Sequence, residues 1–182
     1  INGMLVTRTK VPSLIVTLAT LFAVSGLTLF LSLLLTDTTS QALTSPAWAK
    51  SLFGDYHFWG FQSSVFWWIA IAAVLYYVLH LSPWGNWILA LGGDKESARN
   101  AGIPIDRLKI SLFILTAMAA ALSGVCETVL SNSATTTTNF ALIFNCIIAV
   151  VVGGVLLTGG FGTVAGVFFG TATLAIVQQG IG

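Results

Sequence analysis

Few side chains in this sequence are equipped for chemistry, and most of them lie in apolar surroundings. Glu127 is the one charged residue inside a long apolar stretch, and Asn145 is the one strongly polar residue of another. A carboxylate at such a depth could relay a proton, and an amide could hold a polar solute. Glu127 lies about one turn from the end of its stretch, a position that suits snorkelling or an interfacial hydrogen bond better than a relay. Six hydroxyls, Ser13, Thr17, Thr20, Ser25, Thr28 and Ser32, recur so that at about 100° per residue they share a sector of roughly 140° on one helix. Such a face either lines a polar route or bonds back to its own helix carbonyls. The spacing of the six leaves both readings open.

Several other chemistries lack their residues. His57 and His80 are remote from each other and from Cys126 and Cys146, so no metal-ligand spacing exists. Both cysteines lie in apolar runs, where small apolar packing is their usual role. No Ser/His/Asp or Cys/His set has members at matching depth, and no span carries paired carboxylates. A phosphate-binding P-loop needs a Gly-Lys step before Ser or Thr, and no lysine here follows a glycine. Energy for any work done by this chain must therefore come from another chain or from an ion gradient.

The elements that position these residues follow from composition. Of 182 residues, 56% are hydrophobic and 7% charged, against about 25% charged in a soluble domain. Seven of the thirteen charged side chains, Asp94, Lys95, Glu96, Arg99, Asp106, Arg107 and Lys109, fall in one short stretch. A net charge of +1, without a basic run interleaved with aromatics, excludes nucleic acid as a partner. The expected fold is all-α, a polytopic membrane helical bundle forming one transmembrane domain over residues 1–182. The chain reads as a fragment, incomplete at both ends.

Four full spans are expected. Residues 12–35, 61–81 and 108–130 are each long enough to cross a hydrocarbon core of roughly 30 Å, and 140–157 reaches about 27 Å. Residues 164–177 reach only roughly 21 Å and read as a short or re-entrant apolar helix. Trp67, Trp68, Tyr76, Tyr77, Trp84 and Trp87 stand near the ends of the second span as interfacial anchors. Residues 36–62 read as an interfacial loop with Tyr56, His57, Phe58 and Trp59 near its end. Gly162, Gly166 and Gly170 repeat at every fourth residue, a ridge that admits close helix contact. On the third span Thr116, Ala120, Ser123, Gly124 and Ser131 share the face of Glu127, which is narrow enough for another helix. Arg8 and Lys10 precede the first span, and Lys95, Arg99, Arg107 and Lys109 separate the second from the third. These two basic segments are therefore expected on the cytoplasmic side.

Within the loop 91–109, Asp94 is placed to cap a short helix through its carboxylate. Lys95 to Ala101 form its body, and Gly102 is a left-handed stop before Ile103 and Pro104. A charged, self-contained helix held between two spans is either a handle for a partner or an ordinary connection.

At these residues the sequence resembles a known family. ALGGDKESARNAGIPIDRLK, residues 90–109, looks like the cytoplasmic loop of permease subunits in bacterial ribose-, xylose- and galactose-type ABC importers. NGMLVTRTKVPSLIVTLAT, residues 2–20, is similar to that family's early span, and IAVVVGGVLLTGGFGT, residues 148–163, to its glycine-rich segment. The resemblance implies a multi-pass subunit of the bacterial inner membrane, without a cofactor or an ATP site of its own, that forms the pathway for a monosaccharide. It implies that Asp94, Lys95, Glu96, Arg99, Asn100 and Gly102 form the coupling helix seated on a cytoplasmic ATP-binding subunit. It further implies a second permease subunit, identical or not, a periplasmic sugar-binding protein, and membrane lipid around the whole. Thr17, Thr20, Glu127 and Asn145 are the candidate pathway residues. Relatives often carry Glu at the position of Glu127, and many carry Asp at that of Asn145. Branched-chain amino acid permeases share the loop plan, but the Gly92-Gly93-Asp94 opening looks more like the sugar branch. An ion-driven secondary transporter using Glu127 is the alternative from a different class.

Overall fold

A computed structural model describes residues 1–9, 11–53, 56–57, 61–136 and 140–181. Lys10, Phe58 and Trp59, which figured in the orientation and interface expectations, lie outside the described residues. Helix α1 (Asn2–Arg8) is followed by α2 (Ser13–Thr36), β1 (Ser40–Ala42), α3 (Ala47–Phe53), β2 (Tyr56–His57) and β3 (Phe61–Gln62). Then come α4 (Ser63–Leu81), α5 (Pro83–Gly93), α6 (Lys95–Asn100), α7 (Ile105–Ser131), β4 (Ser133–Thr135), α8 (Phe140–Val152) and α9 (Val164–Ile181).

Three helices, α2, α4 and α7, are long and apolar enough to cross a membrane, and each begins and ends within three residues of its expected bounds. Pro12, with its φ of −54°, opens α2, where a missing N–H costs nothing because the first helical donors have no partner. Asp37 closes it at a φ of 51°, and its N–H donates to the Leu33 carbonyl.

The fourth expected span is shorter than its hydropathy implied. Helix α8 stops at Val152 after 13 residues, about 20 Å at 1.5 Å per residue, because Gly153 and Gly154 turn the chain, Gly154 at a φ of 77°. The apolar residues 155–157 belong to the turn that follows. Helix α9 runs Val164–Ile181, four residues past the expected end, and with α8 it is among the shorter apolar helices rather than the long spans. The interfacial loop 36–62 contains α3 and three short strands, and α5 occupies a stretch read as the margin of the second span.

Contacts divide the chain into two compact units. The first comprises Ile1–Trp67 and Lys109–Thr138, the second Trp68–Leu108 and Asn139–Gly182. Within the first, β1 pairs antiparallel with β4, Ser40 opposite Thr135 and Ala42 opposite Ser133. Asn132, at a φ of 49°, turns α7 into that ladder, and its carbonyl accepts from Leu43 N–H at 2.9 Å. The rings of Phe53 and Trp67 stack at 5.8 Å, and Gly3 lets α1 lie on α7, since a Cβ there would sit 3.1 Å from Ile110 Cα.

Within the second unit, α8 and α9 pack backbone to backbone. A Cβ on Gly153 would stand 2.7 Å from the Gly166 carbonyl oxygen, and one on Gly170 would stand 2.7 Å from Gly153 N. The glycine ridge of α9 is thus used inside the chain, Gly166 and Gly170 against α8. Trp68 of α4 stacks on Phe168 of α9 with centroids 4.1 Å apart. The buried residues of both units are few, Val16, Ala98, Ile105, Leu108 and Ala149 among them, while Phe30, Leu35, Phe169 and Ile176 are exposed. An apolar exterior over a sparse core is the arrangement lipid permits and water does not.

Candidate functional site

The charged loop begins where α5 ends. Asp94 has extended backbone, φ −147° and ψ 117°, and serves at once as the end of α5 and the N-cap of α6. Its Oδ1 accepts the Glu96 N–H at 3.1 Å and its Oδ2 the Ser97 N–H at 3.2 Å. The Ser97 hydroxyl donates to the same Oδ2. These bonds satisfy donors that a helix start leaves open. They also favour the ionised carboxylate, so the hydroxyl of Ser97, followed by the two backbone N–H groups, holds Asp94 below the ordinary carboxylate value.

The far end of α6 closes as cleanly. Gly102 N–H donates to the Arg99 carbonyl at 3.0 Å and Ile103 N–H to the Ala98 carbonyl at 3.1 Å. That nested pair is a Schellman motif, which needs its penultimate residue in the left-handed region. Gly102 supplies it at a φ of 80°. The expected helix is present, one residue shorter at its C-terminal end. Glu96 in its first turn and Arg99 in its last both complement the helix dipole.

One side chain of α6 is buried, Ala98 at 3% exposure. Lys95, Glu96, Arg99 and Asn100 are all exposed, and none of the three charged ones makes an ion pair among the described residues. The helix is therefore docked through a methyl group and presents its charges outward.

Behind it lies a contact that sequence reasoning missed. Gly92, next to last in α5, meets the turn between α8 and α9, where a Cβ on Gly159 would stand 3.0 Å from Gly92 Cα and one on Gly160 2.9 Å from Gly93 Cα. Both turn glycines have positive φ, 93° and 81°. No periodicity announces such an approach. The available signals were the paired glycines themselves and the Ser82-Pro83 step, which marks a helix start. A cleft of about 430 Å³ in the same unit is bounded by Leu75, Leu79, Ile88, Gly92, Val155 and Val167. Its walls are almost wholly apolar and offer a hydroxyl-rich solute little to bond.

The four candidate pathway residues lie on three helices, Thr17 and Thr20 on α2, Glu127 on α7 and Asn145 on α8. Thr17 donates to the Ser13 and Leu14 carbonyls at 2.9 and 3.0 Å, and Thr20 to those of Val16 and Thr17 at 3.0 and 2.9 Å. Thr28 bonds Val24 in the same way, whereas Ser32 reaches past the helix end to the Thr38 carbonyl at 2.6 Å. Thr17, Thr20, Ser25 and Thr28 thus spend their hydroxyl protons on their own helix, and their oxygens keep a lone pair for a further donor. Glu127 is exposed on α7 and Asn145 half-buried on α8. No hydrogen bond links any two of the four side chains.

A family model described as the permease component of branched-chain amino acid transport systems matches residues 1–182, the full chain. The chain belongs to that permease family. Among its curated relatives, the ribose import permease of Bacillus subtilis is 30% identical over 99% of this chain and 55% of its own length. The fructose import permease of Rhizobium meliloti is 31% identical over 100% of this chain and 51% of its own length. The L-arabinose permease of Azospirillum brasilense is 32% identical, over 98% and 51%. This permease chain thus spans about half the length of the curated relatives it matches. No solved structure matches it. Family and apolar helices together make it a multi-pass membrane protein, as the sequence led one to expect.

Proposed function

We propose that this chain is part of the transmembrane subunit of an ATP-binding-cassette importer in a bacterial inner membrane, forming the route for a monosaccharide. The observation that carries the reading is α6. A helix capped at both ends, with Ala98 its one buried side chain and exposed charges that make no ion pair among the described residues, is suited to seat in a groove on another protein. Asp94 and Gly102 hold its shape, and Lys95, Glu96, Arg99 and Asn100 form the surface offered to a cytoplasmic ATP-binding subunit, with the basic segments on that side of the membrane. A second permease subunit and a periplasmic sugar-binding protein complete the assembly. Relatives named for ribose, fructose and arabinose support a sugar as the solute, and the family's own description keeps a branched-chain amino acid as the second reading. Thr17, Thr20, Glu127 and Asn145 are the side chains proposed to meet the solute. The chain contributes positioning and alternating access, and the partner supplies hydrolysis.

Reversing both charges, Glu96→Lys with Arg99→Glu, tests the assignment. The expected result is loss of the co-purified ATPase and at least about a tenfold fall in uptake, as truncated or inverted charge pairs at interfaces produce. Unchanged co-purification together with unchanged uptake would overturn the coupling role. Uptake that persists without any ATPase but collapses with the proton gradient would transfer the protein to the ion-driven class and direct attention to Glu127.

A further inference from the structure

Lys109, the last of the loop cations, stands in a setting unlike that of the others. It is half-buried in the second turn of α7, and no acidic side chain pairs with it among the described residues. It lines a cleft of about 260 Å³ together with Val6 of α1, Ser13 at the start of α2, and Leu112, Phe113 and Thr116 of α7. All six belong to the first compact unit. The wall on α1 is held in place by Gly3, whose missing side chain lets that helix lie against Ile110 and Phe113.

Depth in the membrane follows from length. The 27 residues of α7 measure about 40 Å at 1.5 Å per residue, roughly 10 Å more than the hydrocarbon core. Asp106, Arg107 and Lys109 in its first turns place that excess at the N-terminal end, among the headgroups. The lining offers the Lys109 ammonium and the Ser13 hydroxyl beside Val6, Leu112 and Phe113, and the Thr116 hydroxyl donates to the Leu112 carbonyl. A half-buried ammonium without a counter-ion is costly, and apolar walls at headgroup depth call for an apolar occupant. A small inorganic anion answers only the first need.

We propose that this cleft holds an anionic phospholipid, its phosphate on the Lys109 ammonium and Ser13 hydroxyl and an acyl chain along Val6, Leu112 and Phe113. Basic pockets between membrane helices at the headgroup level bind lipid phosphates by this combination of charge and apolar wall. Arg8, exposed two residues beyond Val6 in α1, adds positive charge to the same helix. The lipid fastens α1 and the start of α2 to α7 beside the close approach of Gly3 to Ile110. The site is independent of the coupling assignment, because it needs the membrane and not the ATPase.

The test uses the full permease that contains this chain, with its partners, delipidated and reconstituted in phosphatidylcholine bilayers with or without a minor fraction of phosphatidylglycerol. Native mass spectrometry reads retained lipid, and tryptophan fluorescence reads the melting temperature. The wild type is expected to retain phosphatidylglycerol in preference to phosphatidylcholine and to melt higher in its presence. Lys109→Gln lowers that preference about fivefold, the worth of one basic residue near an anionic surface. Lys109→Arg keeps most of it, and Lys50→Gln, an exposed lysine outside the cleft, leaves it unchanged. Val6→Trp, which fills the cleft without touching the charge, also displaces the lipid. Equal retention in wild type and Lys109→Gln overturns the proposal. So does an equal loss with Lys50→Gln, which marks general surface attraction, or full displacement by inorganic phosphate, which marks a free-anion site.

Discussion

The second compact unit and helix α2 of the first use their glycines in opposite ways. In the second, α8 and α9 touch through Gly153, Gly166 and Gly170, and α5 meets the α8–α9 turn through Gly92, Gly159 and Gly160. In the first, α2 spends most of its hydroxyls on its own carbonyls, buries only Val16, and carries a glycine, Gly26, with nothing near the place of a Cβ. Lipid supplies no hydrophobic drive between helices. Close backbone contact replaces it in the second unit, whereas in the first it recurs at Gly3 against α7 while the surface of α2 is left exposed. Glycine therefore means two different things along one chain, and the same substitution should separate them.

The largest effect is expected at Gly170. A side chain there must displace the backbone of Gly153 and the Ala149 carbonyl, and backbone cannot rotate away as a side-chain tip can. Gly170→Val should cost ~3 kcal/mol, the upper range for overpacking, and Gly170→Ala should be destabilising too. Thermal or denaturant unfolding of the detergent-solubilised permease measures it. A wild-type melting point for Gly170→Val would remove the distinction between the units.

The opposite sign is expected at Gly26. Alanine gains helix propensity and meets no neighbour, so Gly26→Ala should stabilise by ~0.5–1 kcal/mol. Destabilisation by the same assay would reveal a helix packed on α2 and would sharpen the comparison by making that face an interface.

A smaller effect, confined to the second unit, concerns pH. The Asp94 carboxyl is held below its ordinary value of 3.8 by Ser97 and the Glu96 and Ser97 N–H groups. A carboxyl lowered on folding contributes stability above its unfolded value and loses it as pH falls through the folded one. The start of α6 should therefore loosen as pH drops below 3.8, seen as faster amide exchange at Glu96 and Ser97. Exchange at α8 should not change over that range.

What the sequence made legible divides along the same line. Long apolar runs set α2, α4 and α7 to within a few residues, since span length is fixed by the bilayer and charge-free stretches are unambiguous. The caps of α6 were readable because Asp94 and Gly102 act through local chemistry. The end of α8 was not, because hydropathy continues through residues 155–157 while Gly153 and Gly154 already turn the chain. Helix α5 was hidden by its own apolarity, which merged it with the span before it. The Gly92 contact and the reach of α1 over α7 through Gly3 are non-local, and no periodicity encodes them. For the hydroxyl face of α2, spacing alone offered two meanings; Thr17, Thr20, Ser25 and Thr28 bond back to their own helix, which is compatible with a pathway role for their remaining lone pairs.

Asp94 is shared: it caps the end of α5 and the start of α6. One extended residue is all that separates α5 from α6, so under the proposed coupling a pull on the short helix would act two residues from Gly92.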